Sequence, residues 1–479
     1  MNKDFKYIPK DKRKKILLIC DDIRVHSGVA TVAKEIVFGT CQHFNWVQMA
    51  GAIQHPEKGK RLDLSQSTNQ EVGIDDSSIM LYPVDHYGNA TILRELISLE
   101  KPDAIFLVTD PRYFTWVFGM ESEIRKQIPI TYLNIWDDYP APMFNKPYYE
   151  ACDLLMGISK QTVNINKLVL KGHEGNRIFK YIPHGKNKDI YYPIEKFDDE
   201  FKKFKKELFR GKDPKFVVYF NSRNIRRKQI PDTMMAFRLF LDSLPKEEAK
   251  GCYLVLKTEM VTDPGTDLDA VREYLLGENY LENVIILENK FSEKQLNYLC
   301  NIADIQVLIT SNEGWGLTLT EAILSGTPII ANTTGGMQDQ MRFVDENGKW
   351  FTPSSDVPSN HRGTYKEHGE WAFPVYPSSR SIQGSPPTPY IYDDRCNFED
   401  VTERLKEVYS LSKDELKARG LKGREWAISD EAGFTSAHQG KRVIEALDEL
   451  FDTWVPREKY EVINTNEYQG EFLTHKIIY

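Results

Sequence analysis

Short runs of apolar residues alternate with longer segments of mixed hydrophobic and polar positions along most of the chain. Buried strands of parallel sheets have this continuous apolar pattern, because helices cover both faces of the sheet. The intervening segments have the spacing of amphipathic helices, so the order is strand–helix–strand. In the first part of the chain the pattern predicts strands at 16–20, 46–53, 78–82, 104–108, 130–135, 154–158 and 178–182.

The same alternation restarts after a basic segment at 202–215, with a second series of strands. The strands of this series are predicted at 216–220, 253–256, 284–287, 305–309 and 328–331. We therefore predict an α/β fold class, with two doubly wound Rossmann-like domains that face a cleft. The expected division is a first domain at 1–190, a second at 191–454 with an insertion at 352–395, and a tail at 455–479.

Composition excludes several classes of protein. The 479 residues are 41% hydrophobic and 28% charged, as in globular domains and unlike disordered or collagen-like chains. No apolar run approaches 18 residues, so no membrane span is expected. The six cysteines are scattered outside any Cys/His cluster, so neither a zinc site nor a disulfide framework is expected. The scattered cysteines and the polar, basic first residues of the sequence together favour a cytoplasmic protein.

A glycine-containing loop follows the predicted strand at 305–309. It reads NEGWG at 312–316 and leads into a predicted helix. Ligands of doubly wound sheets bind at the carboxyl ends of strands, and a helix N-terminus offers free N–H groups to phosphate. Glu313 and Glu321 lie eight residues apart, about 12 Å along a helix, beyond the ~5–9.5 Å of paired-carboxylate glycosidases. These carboxylates fit two parts of one extended ligand; the alternative is an ordinary loop glutamate and a solvated helix glutamate.

Two further loops follow predicted strands. The segment NSRNIRRK contains Arg223 and Lys228, whose guanidinium and ammonium groups suit phosphate oxygens. After the first strand, DDIRVHSG ends on Gly28, where a ligand can approach the backbone closely. A solvated basic surface and a plain turn are the respective alternatives. The Gly28 loop lacks G-x-G-x-x-G and the 312–316 loop lacks its third glycine, which argues against a dinucleotide site.

These segments together resemble the retaining glycosyltransferases of the GT-B fold, of the family-4 type. Glu313 to Glu321 matches the E-x7-E motif of that family, and Arg223 and Lys228 match its diphosphate-binding pair. The resemblance covers roughly residues 15–350.

One position departs from the family pattern. Trp136 stands where the family often has a histidine that reaches the donor sugar. Either Asp137 or Asp138 then takes over a sugar contact, or the donor sugar or its pose differs.

The resemblance implies a nucleoside-diphosphate sugar as the donor substrate, in the form of a UDP-linked hexose, with no cofactor and no metal ion. Glu313 would contact the sugar hydroxyls and Glu321 the ribose hydroxyls, and the nucleobase would lie near 289–291. The implied catalytic residues are Glu313, Asp137, Arg223 and Lys228. The implied donor-binding residues are Gly28, Arg223, Lys228, Asn289, Lys290, Phe291, Gly314, Trp315, Gly316, Leu317, Thr318 and Glu321.

The resemblance restricts the acceptor less than the donor. The acceptor would enter from the first domain, past Gly28 and Asp137. The segments at 21–28 and 51–59 look similar to those of glycosyltransferases in tailed-phage genomes, which can modify hydroxymethylated bases in DNA. A carbohydrate is therefore the first expectation for the acceptor and modified DNA the second. The alternatives to a transferase on this fold are a non-catalytic nucleotide-sugar sensor and an epimerase.

Overall fold

The computed structural model describes residues 7–195, 198–354, 360–361 and 363–457, which form two separate parallel sheets with buried faces. Alternate residues of the first strand pack into different hydrophobic clusters: Leu18 on one face of the sheet, Leu17 and Ile19 on the other. Both faces are therefore covered, as the continuous apolar runs predict. The predicted doubly wound α/β class is confirmed.

The first sheet contains eight strands in the order β3-β4-β2-β1-β5-β6-β7-β8. All neighbours are parallel except the two-residue β3, which runs antiparallel to β4. The strands are β1 (Lys14–Asp21), β2 (Phe44–Gly51), β3 (Leu62–Asp63), β4 (Ile79–Pro83), β5 (Ala104–Val108), β6 (Ile130–Asn134), β7 (Leu154–Gly157) and β8 (Ile178–Tyr181). The predicted domain boundary at 190/191 falls in the connection that follows β8.

The second sheet contains six parallel strands in the order β11-β10-β9-β12-β13-β14, and a separate antiparallel hairpin is formed by β15 and β16. The strands are β9 (Phe216–Asn221), β10 (Cys252–Lys257), β11 (Val284–Leu287), β12 (Ile305–Leu308), β13 (Ile329–Asn332), β14 (Ala372–Val375), β15 (Ser379–Ser385) and β16 (Thr388–Arg395). The strand order reverses direction beside β9, where β12 pairs on its other side. Such a reversal opens a crevice for ligands at the carboxyl ends of the strands.

Helices connect the strands of both sheets. In the first part of the chain they are α1 (Gly28–Thr40), α2 (Ser65–Val72), α3 (Ala90–Glu100), α4 (Thr115–Gly119), α5 (Glu121–Ile124), α6 (Lys146–Glu150) and α7 (Lys160–Val169). In the second part they are α8 (Asp199–Leu208), α9 (Ile230–Asp242), α10 (Lys246–Ala249), α11 (Leu268–Tyr280), α12 (Glu293–Ile302), α13 (Leu317–Leu324), α14 (Met337–Met341), α15 (Phe398–Ser410), α16 (Lys413–Ile428) and α17 (Ser436–Thr453). Within the described ranges, no helix is both long and apolar enough to span a membrane.

The predicted insertion at 352–395 is wrong in part. Its residues 372–375 form β14, which pairs with β13 as a regular strand of the second sheet. The following hairpin, β15–β16, belongs to neither large sheet. Residues 355–359 and 362 lie outside the described ranges, as do 458–479 of the predicted tail.

The hairpin and the last helix both extend from the second sheet to the first. At the hairpin, the backbone N–H of Tyr392 donates to the Tyr139 carbonyl (2.6 Å), and that of Asp394 donates to Ser311 (3.0 Å). Helix α17 packs against α1, and a Cβ on Gly39 would lie 3.5 Å from the Ser436 carbonyl oxygen. The two sheets are therefore joined at the hairpin and again at α17.

Candidate active site

The loop at 312–316 brings the end of β12 against the first sheet. Gly316 has φ +88° and is the N-cap residue that precedes α13, so a residue other than glycine would be strained there. A Cβ on Gly314 would lie 2.9 Å from the Ile135 carbonyl oxygen, which follows β6 of the first sheet. The glycines thus allow the start of α13 to face the carboxyl ends of the opposite sheet.

Glu313 forms a buried ion cluster with two cations of the loop that follows β9. The Lys228 ammonium contacts its carboxylate directly, and the Arg227 guanidinium lies 3.1 Å from the same oxygen. Arg227 also donates to the Asn312 carbonyl (2.5 Å). The side chains of Glu313 and Lys228 are 13% and 9% exposed, so water screens this pair weakly, whereas the Arg227 side chain is 33% exposed.

The charges of this cluster shift the pKa values of its members. Burial raises the pKa of Glu313, but Lys228 and Arg227 outweigh it and lower the value to about 2. Burial and the neighbouring Arg227 lower the pKa of Lys228 to about 8, although Glu313 opposes the change. The carboxylate is therefore firmly ionised at neutral pH, while Lys228 loses its charge as the pH rises past about 8.

The arginine beside Glu313 is Arg227, whereas the motif resemblance points to Arg223. The Arg223 side chain is 79% exposed, and its nearest acidic partner is Glu259 at 3.9 Å. A 3-10 turn at Arg226–Lys228 directs the last two basic side chains of the segment toward Glu313. The consecutive cations after a strand were the available sequence signal for Arg227, but they do not show which of them points inward.

Asp137 faces the cluster from the first sheet. Burial raises the pKa of Asp137, and the charges of Arg227 and Glu313 act on it in opposite directions. The neighbouring Asp138 is fully buried and accepts the Tyr139 backbone N–H at 2.7 Å. Trp136 is 6% exposed and packs in the core. Of the two aspartates, Asp137 is therefore the one directed toward the cleft.

Glu321 lies on α13, eight residues after Glu313. Its carboxylate is 9% exposed and pairs with the buried Lys186 ammonium at 3.2 Å. Burial raises the pKa of Glu321, and Lys186 counters that rise. Glu313 and Glu321 thus belong to two separate ion clusters.

The loops after β1, β2 and β5 form the opposite wall, around Gly28. Gly28 begins α1, and a Cβ added to it would lie 4.0 Å from the Leu317 side chain of α13. The cations of these loops are paired with carboxylates. Arg24 binds Asp22 (2.7 Å) and Glu57 (2.9 Å), and Arg112 binds Asp110 (2.6 Å).

The other predicted donor residues have varied surroundings. Asn289 and Lys290 are exposed just after β11, and Phe291 packs edge-on against Phe204 at 5.9 Å. Thr318 is half-buried on the first turn of α13. Trp315 is 2% exposed and its side chain packs in the core. The part of the chain that the structure describes contains no group of three His, Cys, Asp or Glu residues that could hold a metal ion.

Comparison with known proteins agrees with this architecture. Residues 200–358, about a third of the chain, match the family described as glycosyl transferases group 1. No curated protein has significant sequence similarity to the chain.

Several solved structures share the fold at low sequence identity. A glycosyltransferase from Rickettsia africae ESF-5 is 14% identical with a TM-score of 0.63, and the match covers 92% of this chain and 99% of that one. Anabaena HepE, in complex with UDP and glucose, is 14% identical with a TM-score of 0.60, covering 91% and 100%. Sucrose-phosphate synthase from Thermosynechococcus elongatus is 13% identical with a TM-score of 0.61, covering 92% and 100%. The predicted GT-B fold is thereby confirmed.

Proposed function

We propose that this protein transfers a hexosyl group from a UDP-linked sugar to a hydroxyl acceptor, with retention of anomeric configuration. The observation that carries the proposal is the buried cluster of Glu313, Lys228 and Arg227, which lies at the start of α13 and opposite Asp137. The family match at 200–358 supports the same class of reaction. The complex of HepE with UDP and glucose supports UDP as the nucleotide of the donor.

In this proposal the cluster stabilises the leaving group. Lys228 and Arg227 stabilise the negative charge that develops on the diphosphate as the sugar–phosphate bond breaks. The N-terminus of α13 contributes a partial positive charge in the same place. Glu313 accepts hydrogen bonds from the sugar hydroxyls. The acceptor oxygen bonds to the anomeric carbon on the face from which the diphosphate leaves, and the proton of the acceptor hydroxyl passes to the departing diphosphate oxygen. These fixed cations take the place of a metal ion.

The remaining residues hold the two ends of the reaction. On the donor side, Glu321 binds the ribose hydroxyls and the segment at 289–291 lies beside the base. On the acceptor side, Asp137 contacts the sugar and the Gly28 loop admits the acceptor. Arg223 is exposed in the loop that follows β9 and binds the diphosphate from the outer side.

We infer that the acceptor is an uncharged hydroxyl compound, of which a carbohydrate is the best match. The support is the pairing of Arg24 and Arg112 with carboxylates in the loops after β1 and β5, where the acceptor would enter. A phosphate group, on a sugar or in DNA, would have to compete with these ion pairs, and DNA binding rests mainly on free Lys and Arg charges. A hydroxymethylated base in DNA remains the second acceptor to test.

Acceptor preference is measured with radiolabelled UDP-glucose against neutral sugars, their phosphate esters and hydroxymethylated DNA. We expect transfer to a neutral sugar, and at least about ten-fold lower kcat/KM for its phosphate ester. Preferential transfer to the ester or to DNA would contradict the uncharged acceptor while leaving the transferase assignment intact.

The donor is tested by thermal unfolding with UDP, GDP and ADP, each with and without EDTA. We expect UDP to stabilise the protein by about 2.7 kcal/mol at a concentration of 100 times Kd, and EDTA to leave this effect unchanged. Stabilisation by another nucleotide alone would contradict UDP, and its loss in EDTA would contradict a metal-independent site. No stabilisation by any nucleotide would contradict the proposed function, and UDP binding without turnover would favour the sensor.

A further inference from the structure

Lys186 places a buried ammonium group between carboxylates of two helices. Its side chain is 3% exposed, and its Nζ lies 3.2 Å from Glu321 on α13 and 3.5 Å from Glu293 on α12. The same ammonium lies over the Tyr191 ring, 5.0 Å from its centre. Lys186 lies in the segment that follows β8 and connects the first sheet to the second. Its side chain therefore reaches from this connection to α12 and α13, which pack on the second sheet.

The backbone around Lys186 is fixed on both sides. Its N–H donates to the Phe434 carbonyl (3.1 Å), and its carbonyl accepts the Ser436 N–H (3.0 Å). A Cβ on the preceding Gly185 would clash with the Thr435 carbonyl. Because the backbone cannot shift without losing these contacts, the ammonium has a defined position relative to Glu321.

A fixed ammonium matters for a buried carboxylate that has to accept hydrogen bonds. Burial favours the protonated form of Glu321, which would lose acceptor capacity. Lys186 favours the ionised form. It occupies Oε1 of Glu321, and each carboxylate oxygen has two lone-pair sites, so acceptor sites remain for a pair of hydroxyls.

We propose that Lys186 is a positioning residue that orients Glu321 for recognition of the ribose 2′- and 3′-hydroxyls of the donor nucleotide. The inference rests on the proposed function, in which Glu321 binds the ribose. The second partner, Glu293, lies two residues after the segment at 289–291 that is proposed to lie beside the base. Lys186 thereby fixes the helix that carries the ribose ligand relative to the helix beside the base.

The test compares the affinities of UDP and 2′,3′-dideoxyuridine diphosphate, measured by calorimetry. Hydrogen bonds to a buried carboxylate are strong, so we expect wild-type protein to prefer UDP at least about ten-fold. In Lys186→Met the preference is expected to fall to within about two-fold, as in Glu321→Ala. Lys186→Arg keeps the charge and is expected to retain most of the preference. Should Lys186→Met fail to fold, Lys186→Gln serves in its place with the same expected loss.

The ratio of the two affinities separates positioning from structural support. If Lys186 only stabilised the fold, its replacement would weaken both nucleotides equally, and an unchanged ratio would overturn the inference. The proposed function fails separately, if the wild-type protein does not bind UDP at all. A wild-type protein that binds both nucleotides equally would overturn the role of Glu321 and with it that of Lys186.

Discussion

Glu313→Gln is expected to lower kcat about 1,000-fold, while the affinity for UDP stays the same or increases. The amide has nearly the shape of the carboxylate but carries no charge. In the wild-type protein the pKa of Glu313 is about 2, so the charge is present throughout the working range of pH. Loss of one preorganised electrostatic group in an active site costs about 2.7–4 kcal/mol. The affinity for UDP does not fall, because Lys228 and Arg227 lose the carboxylate that competes with the diphosphate.

Steady-state kinetics with a UDP-sugar, together with calorimetry of UDP, measure both halves of this prediction. Glu282→Gln is the matched control, since that carboxylate is 75% exposed and pairs with Lys212 on the surface. We expect its kcat to stay within two-fold of wild type. A Glu313→Gln protein that transfers sugar normally, or one that loses UDP affinity with kcat unchanged, would remove Glu313 from the sugar site.

Sequence patterns predicted the central strands well because strands that are buried on both faces consist of consecutive apolar residues. The predicted strand at 284–287 coincides with β11, and the predicted helix start near Leu317 is that of α13. Strand bounds are less accurate where pairing extends a strand beyond its apolar run. The predicted 46–53 is observed as Phe44–Gly51, in register with β1 from Lys14 onward.

The elements that were missed have weak local signals. β14 is four residues long and contains Pro374, which breaks the usual strand pattern. Proline is tolerated there because β14 is the edge strand of its sheet. The hairpin strand Ser379–Ser385 is mostly exposed and polar, so no apolar run marks it.

The site was predicted at the level of loops rather than of individual side chains. The carboxyl ends of β9 and β12 brought Lys228 and Glu313 together, as topology requires. Local sequence does not define which basic residue of a loop turns inward, and here a 3-10 turn selects Arg227. Lys186 was also missed, because its partners Glu293 and Glu321 lie more than 100 positions away along the chain.

Lys228→Ala and Arg227→Ala are each expected to lower kcat about 100- to 1,000-fold, whereas Arg223→Ala raises the KM of the donor with a smaller effect on kcat. The first two cations are held against Glu313, so in the proposed reaction they would stabilise the leaving diphosphate without rearrangement. Arg223 is 79% exposed, and an exposed cation that closes on a bound phosphate contributes mainly to donor affinity. Separate kcat and KM values for the three variants measure this difference.

The pH dependence provides an independent check on Lys228. The value of kcat/KM reports ionisations of the free protein, in which burial lowers the pKa of Lys228 to about 8. Its charge is present below that pH and lost above it, so kcat/KM should fall as the pH rises through about 8. Lys228→Arg keeps its charge to far higher pH, and is expected to move or abolish the fall. A fall that persists unchanged in Lys228→Arg would assign this ionisation to another group.

The alanine variants have their own contradicting outcome. Equal losses of kcat in Arg223→Ala and Arg227→Ala would show that Arg223 turns inward when the donor binds.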